Sequence, residues 1–270
     1  MNKTLDGKGA IVTGGSRGIG RSMCLGLAAA GAQVVVAART EKDDSAGTRF
    51  EQYGSGTIVD TAAQVNDLGG SALPVRCDVT QADDLRHLVE AAIERFGRID
   101  IVISNAGVDC ESPVADLDVD LLDRCLAVNV RGPFLLCKFA LPAMMAQGDG
   151  GSIFCVTSGS ANAYRVGRIG YSMSKAALER TFLNLAEEVR PNNIAVNVLG
   201  PGRVDTWMNR NGDWPGTEHI PMVPASEIIP AAVWLAGQTA QTLTGSLVER
   251  ANFGQTWGPK IGRASCRERG

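Results

Sequence analysis

The chain has 270 residues, 44% of them apolar and 20% charged, which is enough apolar material for a globular core and too much for a disordered chain. Twenty-six basic residues against 29 acidic ones give a formal net charge of −3, without the basic surplus that draws a protein to nucleic acid or an anionic membrane surface. The most apolar stretch, residues 24–38, is broken by Gly26, Gly31 and Gln33 and is shorter than the roughly 18–20 residues of a spanning helix, so no membrane segment is expected.

The chain starts without an apolar leader core and passes at once into a strand pattern, which predicts a cytoplasmic protein. Short apolar runs then alternate with helix-period segments. Strands are predicted at 10–13, 34–38, 72–75, 99–103, 152–157, 194–198 and 247–249, and helices near 18–30, 60–68, 81–96, 118–146, 170–189 and 226–237. Consecutive apolar positions such as Val34-Val35-Val36 suit parallel strands buried on both faces. The β-α-β-α rhythm with right-handed crossovers predicts an α/β fold: one Rossmann-type doubly wound domain over residues 1–260, with a parallel sheet of about seven strands flanked by helices. Residues 41–56 are polar and aperiodic and read as an enlarged loop after the second strand. Residues 207–224 read as a second loop, either plain surface or a lid over a substrate, with Trp207, Met208, Trp214 and Met222 as a candidate apolar wall. The stretch 261–270 lacks apolar periodicity, resembles the translation of a common sequencing adapter, and is read as a non-native or disordered tail.

Seven scattered cysteines (Cys24, Cys77, Cys110, Cys125, Cys137, Cys155, Cys266) make no C-x-x-C pair and no zinc spacing, so they read as small buried thiols, with neither a disulfide framework nor a metal site. With only His87 and His219 present, a histidine-based metal site or a Ser-His-Asp hydrolase has little to be built from. His87 is out of phase with Leu85, Leu88, Val89, Ala92, Ile93 and Phe96 and belongs on a solvated helix face.

Chemistry concentrates in three places. The run Thr13-Gly14-Gly15-Ser16-Arg17-Gly18-Ile19-Gly20 joins the first strand to a helix; glycines there let a pyrophosphate approach the helix N-terminus, although a turn that binds nothing has the same composition. Tyr171 and Lys175 stand at i and i+4, one turn apart on one helix face, and Ser158 lies thirteen residues earlier at the end of an apolar strand. Asn129 shares a helical face with Leu122, Cys125 and Leu126; such an amide needs a partner, because burying it unpaired costs about 1–3 kcal/mol. An Asn capping a break before Gly132-Pro133 is the other reading, and both can hold at once. The second strand ends in Ala37-Ala38-Arg39, with no carboxylate for ribose hydroxyls and with Arg39 and Arg17 available for a 2′-phosphate, which points to NADP rather than NAD.

The T-G-x-x-x-G-x-G spacing resembles the short-chain dehydrogenase/reductase family, and the resemblance continues in order through residues 5–255. Asp78-Val79 matches that family's adenine-contacting pair. Ser104-Asn105-Ala106-Gly107 matches its N-N-A-G with Ser104 in place of the first asparagine. Asn129, Ser158, Tyr171 and Lys175 fall on its catalytic four, and Pro201-Gly202-Arg203-Val204-Asp205-Thr206 matches P-G-x-[IV]-x-T. The resemblance implies cofactor contacts at Gly14, Ser16, Arg17, Gly18, Ile19, Gly20, Arg39, Asp78, Val79, Asn105, Ala106, Gly107, Tyr171, Lys175, Pro201, Gly202, Val204 and Thr206. It implies Tyr171 as general acid/base, with its pKa of about 10 lowered by Lys175 and an oxidised nicotinamide. Ser158 would be a hydrogen-bond donor to the reacting oxygen, and Asn129 would hold a water of a proton relay. The expected function is hydride transfer between NADP(H) and a ketone/secondary-alcohol pair. An NAD-dependent alcohol or hydroxysteroid dehydrogenase and a non-catalytic cofactor-binding regulator are the alternatives. The helices at 118–146 and 171–189 resemble the family's pairing helices, so a homotetramer or homodimer is expected, with Leu135, Leu136, Phe139 and Leu183 supplying apolar area.

Overall fold

Seven runs of small and β-branched residues pair in parallel into one sheet in the computed structural model, which describes residues 3–42, 56–211 and 220–260. The strands are β1 (Gly9–Thr13), β2 (Gln33–Ala38), β3 (Ser71–Arg76), β4 (Ile101–Ser104), β5 (Gly151–Val156), β6 (Ile194–Gly200) and β7 (Ser246–Glu249), in the order β3-β2-β1-β4-β5-β6-β7. All seven predicted strands are present. Side chains alternate across the sheet, so β2 feeds two cores: Val35 and Ala37 pack on one face, Val34 and Val36 on the other.

The first face is covered by α3 (Ala82–Phe96), α5 (Gly132–Gln147) and α6 (Ile169–Val189), through Leu85, Leu88, Leu136, Ala140, Leu178 and Phe182. The second is covered by α1 (Gly18–Ala29), α2 (Ile58–Asp67) and α8 (Ile229–Ala236), through Met23, Leu27, Ile58, Ala62, Ala231 and Leu235. Local signals set the helix ends. Thr57 caps α2 by accepting from the Asp60 amide at 2.9 Å, and Gly97, at φ 75°, closes α3 in the left-handed conformation. Two short α-helices remain among the described residues, α4 (Val119–Leu126) and α7 (Trp207–Asn211).

The single helix predicted at 118–146 is α4, one π-helical segment Ala127–Arg131, and α5, running on without a break. By length and composition alone the run Val119–Gln147 would suffice to cross a bilayer, a feature the sequence reading of residues 24–38 passes over. Here Leu136, Cys137, Ala140 and Met144 of that run are buried in the core under the sheet. Leu136, expected at an interface between copies, is 1% exposed and cannot face a partner; Leu135, Phe139 and Leu183 are half-buried against the same core. His87 is exposed as expected, but Ile93, assigned to the buried face, is 38% exposed.

The six cysteines among the described residues are buried and free. Cys266, Trp214, His219, residues 43–55 of the enlarged loop and the tail 261–270 lie outside the described residues. At the N-terminal edge of the sheet, buried Asp100 accepts from the Gly9 amide at 2.9 Å, from Arg98 at 2.6 and 2.7 Å and from Lys8 at 3.1 Å, fastening the start of β4 to β1. At the opposite edge, β1 has β2 on one side and β4 on the other, so consecutive connections leave in opposite directions and open a crevice beyond the strand ends.

Candidate active site

The crevice begins with the glycine turn after β1. Gly14 sits at φ 69°, and a β-carbon on Gly20 would lie 2.1 Å from the Gly14 carbonyl oxygen, so the turn closes only with glycine at both positions. The first turn of α1 carries no acidic residue and no side-chain cap, which leaves its amides suited to an anion. Thr206 packs over this turn: a β-carbon on Gly18 would stand 3.3 Å from its methyl group. Ser16, Arg17, Ile19, Pro201, Gly202 and Val204 therefore converge with the glycines at one end of the sheet, and Val204 itself is fully buried.

At the end of β2, Arg17 reaches Thr40 at 3.4 Å, which brings it beside exposed Arg39. Arg39 also acts on Asp78. Burial would raise that carboxyl, but hydrogen bonds from the Thr80 amide (3.0 Å) and hydroxyl (2.8 Å), with Arg39 and Arg124 nearby, hold it below its ordinary value. Val79 and Ala106 line a narrow cleft with Thr13 and Ser104, whose hydroxyl is buried without a hydrogen-bond partner. Asn105 braces the turn: its side-chain amide donates to the Thr13 carbonyl at 2.9 Å, while its own N–H and that of Ala106 donate to the Thr13 hydroxyl. The residues present thus fit a dinucleotide: glycines leave room for its phosphates, and the end of β2 carries arginine and no carboxylate.

The second half of the site is built on α6. Tyr171 is 4% exposed, with Ser158 near enough to favour its ionised form, and the Ser158 hydroxyl accepts from the Ser160 amide at 3.2 Å. Lys175 is buried one turn further on; its Nζ lies 5.7 Å from the Tyr171 ring centroid and donates to the Val156 carbonyl at 3.0 Å. Asn129, at the centre of the π-helical segment and fully buried, accepts from the Val108 amide at 2.9 Å and donates to the Val108 carbonyl at 2.9 Å and the Ser174 hydroxyl at 3.0 Å. Gly107 is threaded between these groups, with space for a β-carbon only 3.4 Å from Asn129 Oδ1 and 3.6 Å from Lys175 Nζ. The four residues singled out for catalysis therefore share one locus. A π-helical turn adds one residue to a helix and commonly marks a functional position; here it carries Asn129 into the buried network.

The protein's own groups move the tyrosine opposite to the expected direction. Burial pushes the Tyr171 phenol above its ordinary value and Asp109 pushes the same way, while Ser158 and Arg168 pull it down. Burial likewise pulls the Lys175 ammonium below its usual value, against the nearby thiols and carboxylates.

Two neighbouring features escaped the sequence reading. Arg168 is fully buried and makes a forked ion pair with Asp109, its Nη atoms lying 2.9 Å from the carboxylate, with Glu111 at 3.2 Å. Glu179, also buried, accepts from the Thr157 hydroxyl at 2.7 Å and from the Asn162 side-chain amide at 3.2 Å, fixing the loop that carries Ser158. Helical spacing offered a signal for both, since Arg168 and Glu179 lie at i−3 and i+8 from Tyr171.

Comparison with known proteins agrees with this geometry. A family model described as short chain dehydrogenase matches residues 8–214. A 7alpha-hydroxysteroid dehydrogenase of Escherichia coli K12 is 32% identical, with 93% of this chain and 98% of the relative covered. An L-rhamnose 1-dehydrogenase (NAD(P)(+)) of a Sphingomonas strain is 31% identical over 77% of each chain. Among solved structures, a short-chain type dehydrogenase/reductase from Mycobacterium marinum superposes with a TM-score of 0.78 at 33% identity, covering 91% of this chain and 94% of the other. A 7 alpha-hydroxysteroid dehydrogenase in complex with NADH and 7-oxo glycochenodeoxycholic acid gives 0.77 at 30% identity, covering 92% and 94%.

Proposed function

Since the chain belongs to the short-chain dehydrogenase/reductase family of oxidoreductases, which act on alcohol and ketone groups, we propose that it interconverts a ketone and a secondary alcohol with NADP(H), Tyr171 serving as general acid and base. One observation carries this reading: Tyr171 and Lys175 are buried one turn apart on α6, with Lys175 Nζ 5.7 Å from the Tyr171 ring centroid and Ser158 near enough to act on the phenol, so a single substrate oxygen can accept from both hydroxyls. The nicotinamide supplies or removes the hydride. In reduction, the Tyr171 hydroxyl gives its proton to the substrate oxygen as negative charge builds there, and the Ser158 hydroxyl donates to the same oxygen. In oxidation, the tyrosinate takes the alcohol proton. Lys175, held by the Val156 carbonyl, adds positive charge close to the ring that favours the ionised form. The amides at the start of α1 and the glycines before it would hold the pyrophosphate. Arg39 and Arg17 at the end of β2 support the choice of NADP.

The hydroxysteroid dehydrogenase relative and the NADH complex of such an enzyme favour a second reading, an NAD-dependent hydroxysteroid dehydrogenase. Exposed Phe134, Met145 and Met173 on α5 and α6 support an assembly of identical chains. The test is consumption of NADPH and NADH against ketones, oxoacyl thioesters and oxo-steroids, for the wild type and Tyr171→Phe. Removing the hydroxyl is expected to lower turnover about 100- to 10,000-fold with cofactor binding retained. A Tyr171→Phe protein keeping more than about a tenth of wild-type turnover refutes the mechanism, and absence of turnover with every substrate returns the non-catalytic reading.

A further inference from the structure

We propose that Arg168 is a positioning residue for Tyr171, and that the Arg168–Asp109 pair, with Glu111 as its outer partner, sets the pH at which the Tyr171 phenol exchanges a proton. The guanidinium carbon of Arg168 lies 5.7 Å from the Tyr171 ring centroid, the same distance as Lys175 Nζ, so the ring has two cations equally near, one from the turn before it and one from the turn after. The two cations differ in their surroundings. Lys175 donates to a neutral carbonyl, whereas Arg168 is neutralised by a carboxylate that it grips through both terminal nitrogens.

The carboxylate is itself held in place. Asp109 Oδ1 also accepts from the Cys110 amide at 2.8 Å, and the preceding residue, Val108, is fixed at both backbone atoms by Asn129. Arg168 is the N-cap residue of α6, and its carbonyl accepts from the Ser172 amide at 2.8 Å, so its backbone moves with the helix that carries the tyrosine. The pair therefore ties the end of the β4 loop to the start of α6 directly against the ring, and displacing either charge changes the field at the phenol. Among the described residues, the titratable and charged groups around Tyr171 include Asp109, Cys110 and Glu111 from the loop after β4, Cys125 from α4, and Arg168 and Lys175 from α6. Burial raises both thiols, Cys110 to about 11, which leaves the carboxylates and cations as the charges that count near neutrality. Asp109 raises the phenol and Arg168 lowers it, in line with this arrangement.

The proposal rests on the acid/base reading of Tyr171, but its test does not depend on turnover. The chain has three tyrosines, Tyr53, Tyr164 and Tyr171. Biosynthetic replacement by 3,5-difluorotyrosine, a more acidic phenol, brings the titration into an accessible range, and the fluorine resonance missing from Tyr171→Phe identifies the site. A unit charge about 6 Å away at an effective dielectric of about 20 moves a pKa by about two units; with the remaining partners compensating in part, a shift of about one unit is expected. Asp109→Asn should lower the Tyr171 midpoint by that much, Glu111→Gln by less, and Arg168→Met should raise it, with Arg168→Lys falling between the wild type and Arg168→Met. Opposite signs distinguish tuning from loosening, because a pair that merely held the loop would, on either loss, admit water and lower the midpoint in both variants. Shifts of the same sign in Asp109→Asn and the Arg168 variant, or an Asp109→Asn midpoint within about 0.3 units of wild type, overturn the proposal. If Arg168→Met does not fold, Arg168→Lys, whose midpoint is expected above the wild type, still decides by its sign against Asp109→Asn. Turnover assays on Tyr171→Phe test the acid/base reading separately.

Discussion

Replacing Asn129 with alanine should cost stability as well as activity, because its side chain carries backbone hydrogen bonds that no other group can supply. Four contacts disappear together: the Val108 amide to Oδ1, and Nδ2 to the Val108 carbonyl and the Ser174 hydroxyl, all between 2.9 and 3.0 Å, with a longer one from Nδ2 to Cys125 Sγ at 3.4 Å. Each buried polar group left without a partner costs about 1–3 kcal/mol. Val108 is half-buried, so water can recover part of this, and Ser174 keeps its own hydrogen bond to the Tyr171 carbonyl. The expected loss is therefore about 2–4 kcal/mol, from the two Val108 groups and the small cavity left by the amide. In urea unfolding, with a slope of roughly 3 kcal/mol per molar for a chain of this size, the midpoint should fall by about 1 M at unchanged slope. Asn129→Asp should do at least as badly, since it keeps an acceptor for Val108 but loses the donor to the Val108 carbonyl. A midpoint for Asn129→Ala within about 0.2 M of wild type would mean that the amide does not brace the loop, and its importance would then lie in the chemistry alone.

Two further perturbations probe other parts of the structure. Arg39→Asp should weaken NADPH binding more than NADH binding and swing the preference at least about tenfold, since a charge-assisted contact contributes about 1.5–3 kcal/mol and a carboxylate repels the 2′-phosphate; equal losses for the two cofactors in fluorescence titrations would remove Arg39 from that role. Asp100→Asn should cost about 2 kcal/mol at pH 7, a value discounted because Lys8 and Arg98 are partly exposed. Burial would raise the Asp100 carboxyl, but Arg98, the Gly9 amide and Lys8 together hold it below its ordinary 3.8. The stability it confers is thus complete above about pH 5 and is lost as the pH falls through the lowered folded value. The gap between wild type and Asp100→Asn in thermal melts should be flat from pH 7 to 5 and close in more acid solution; a gap that widens with acid contradicts the ion-pair account.

The sheet was legible because its strands are buried on both faces, so that β2 reads as an unbroken apolar run after Gln33, and β6 as one interrupted by Asn197, where an edge strand of an open sheet would alternate. Helices of ten or more residues were legible by period. The five-residue α7 was not, since one turn and a half carries no period to detect. The π-helical segment also left no trace in the pattern. A slip of one residue over Ala127–Arg131 shifts the apolar face too little to stand out, although it is what swings Asn129 inward. Leu136 was placed on the wrong surface because α5 is apolar nearly all round, and composition cannot say which side of such a helix meets the sheet.

The site divides along the same line. Tyr171 and Lys175 were legible together because a single helix sets their relation, and the glycine turn because strand, turn and helix are contiguous. Arg168 and Asp109 are separated by 59 positions, and nothing local links them. Their contact follows from the adjacency of β4 and β5: parallel pairing brings Ser104 opposite Cys155, so the loops leaving both strands rise on the same edge and converge over the start of α6. Once Val108 is fixed by Asn129, the next side chain falls within reach of the residue that caps α6, and an arginine buried there needs a carboxylate. A helix thus specifies which groups can act on one another along its face, whereas the charge balance around Tyr171 depends on a loop whose position only the sheet order determines.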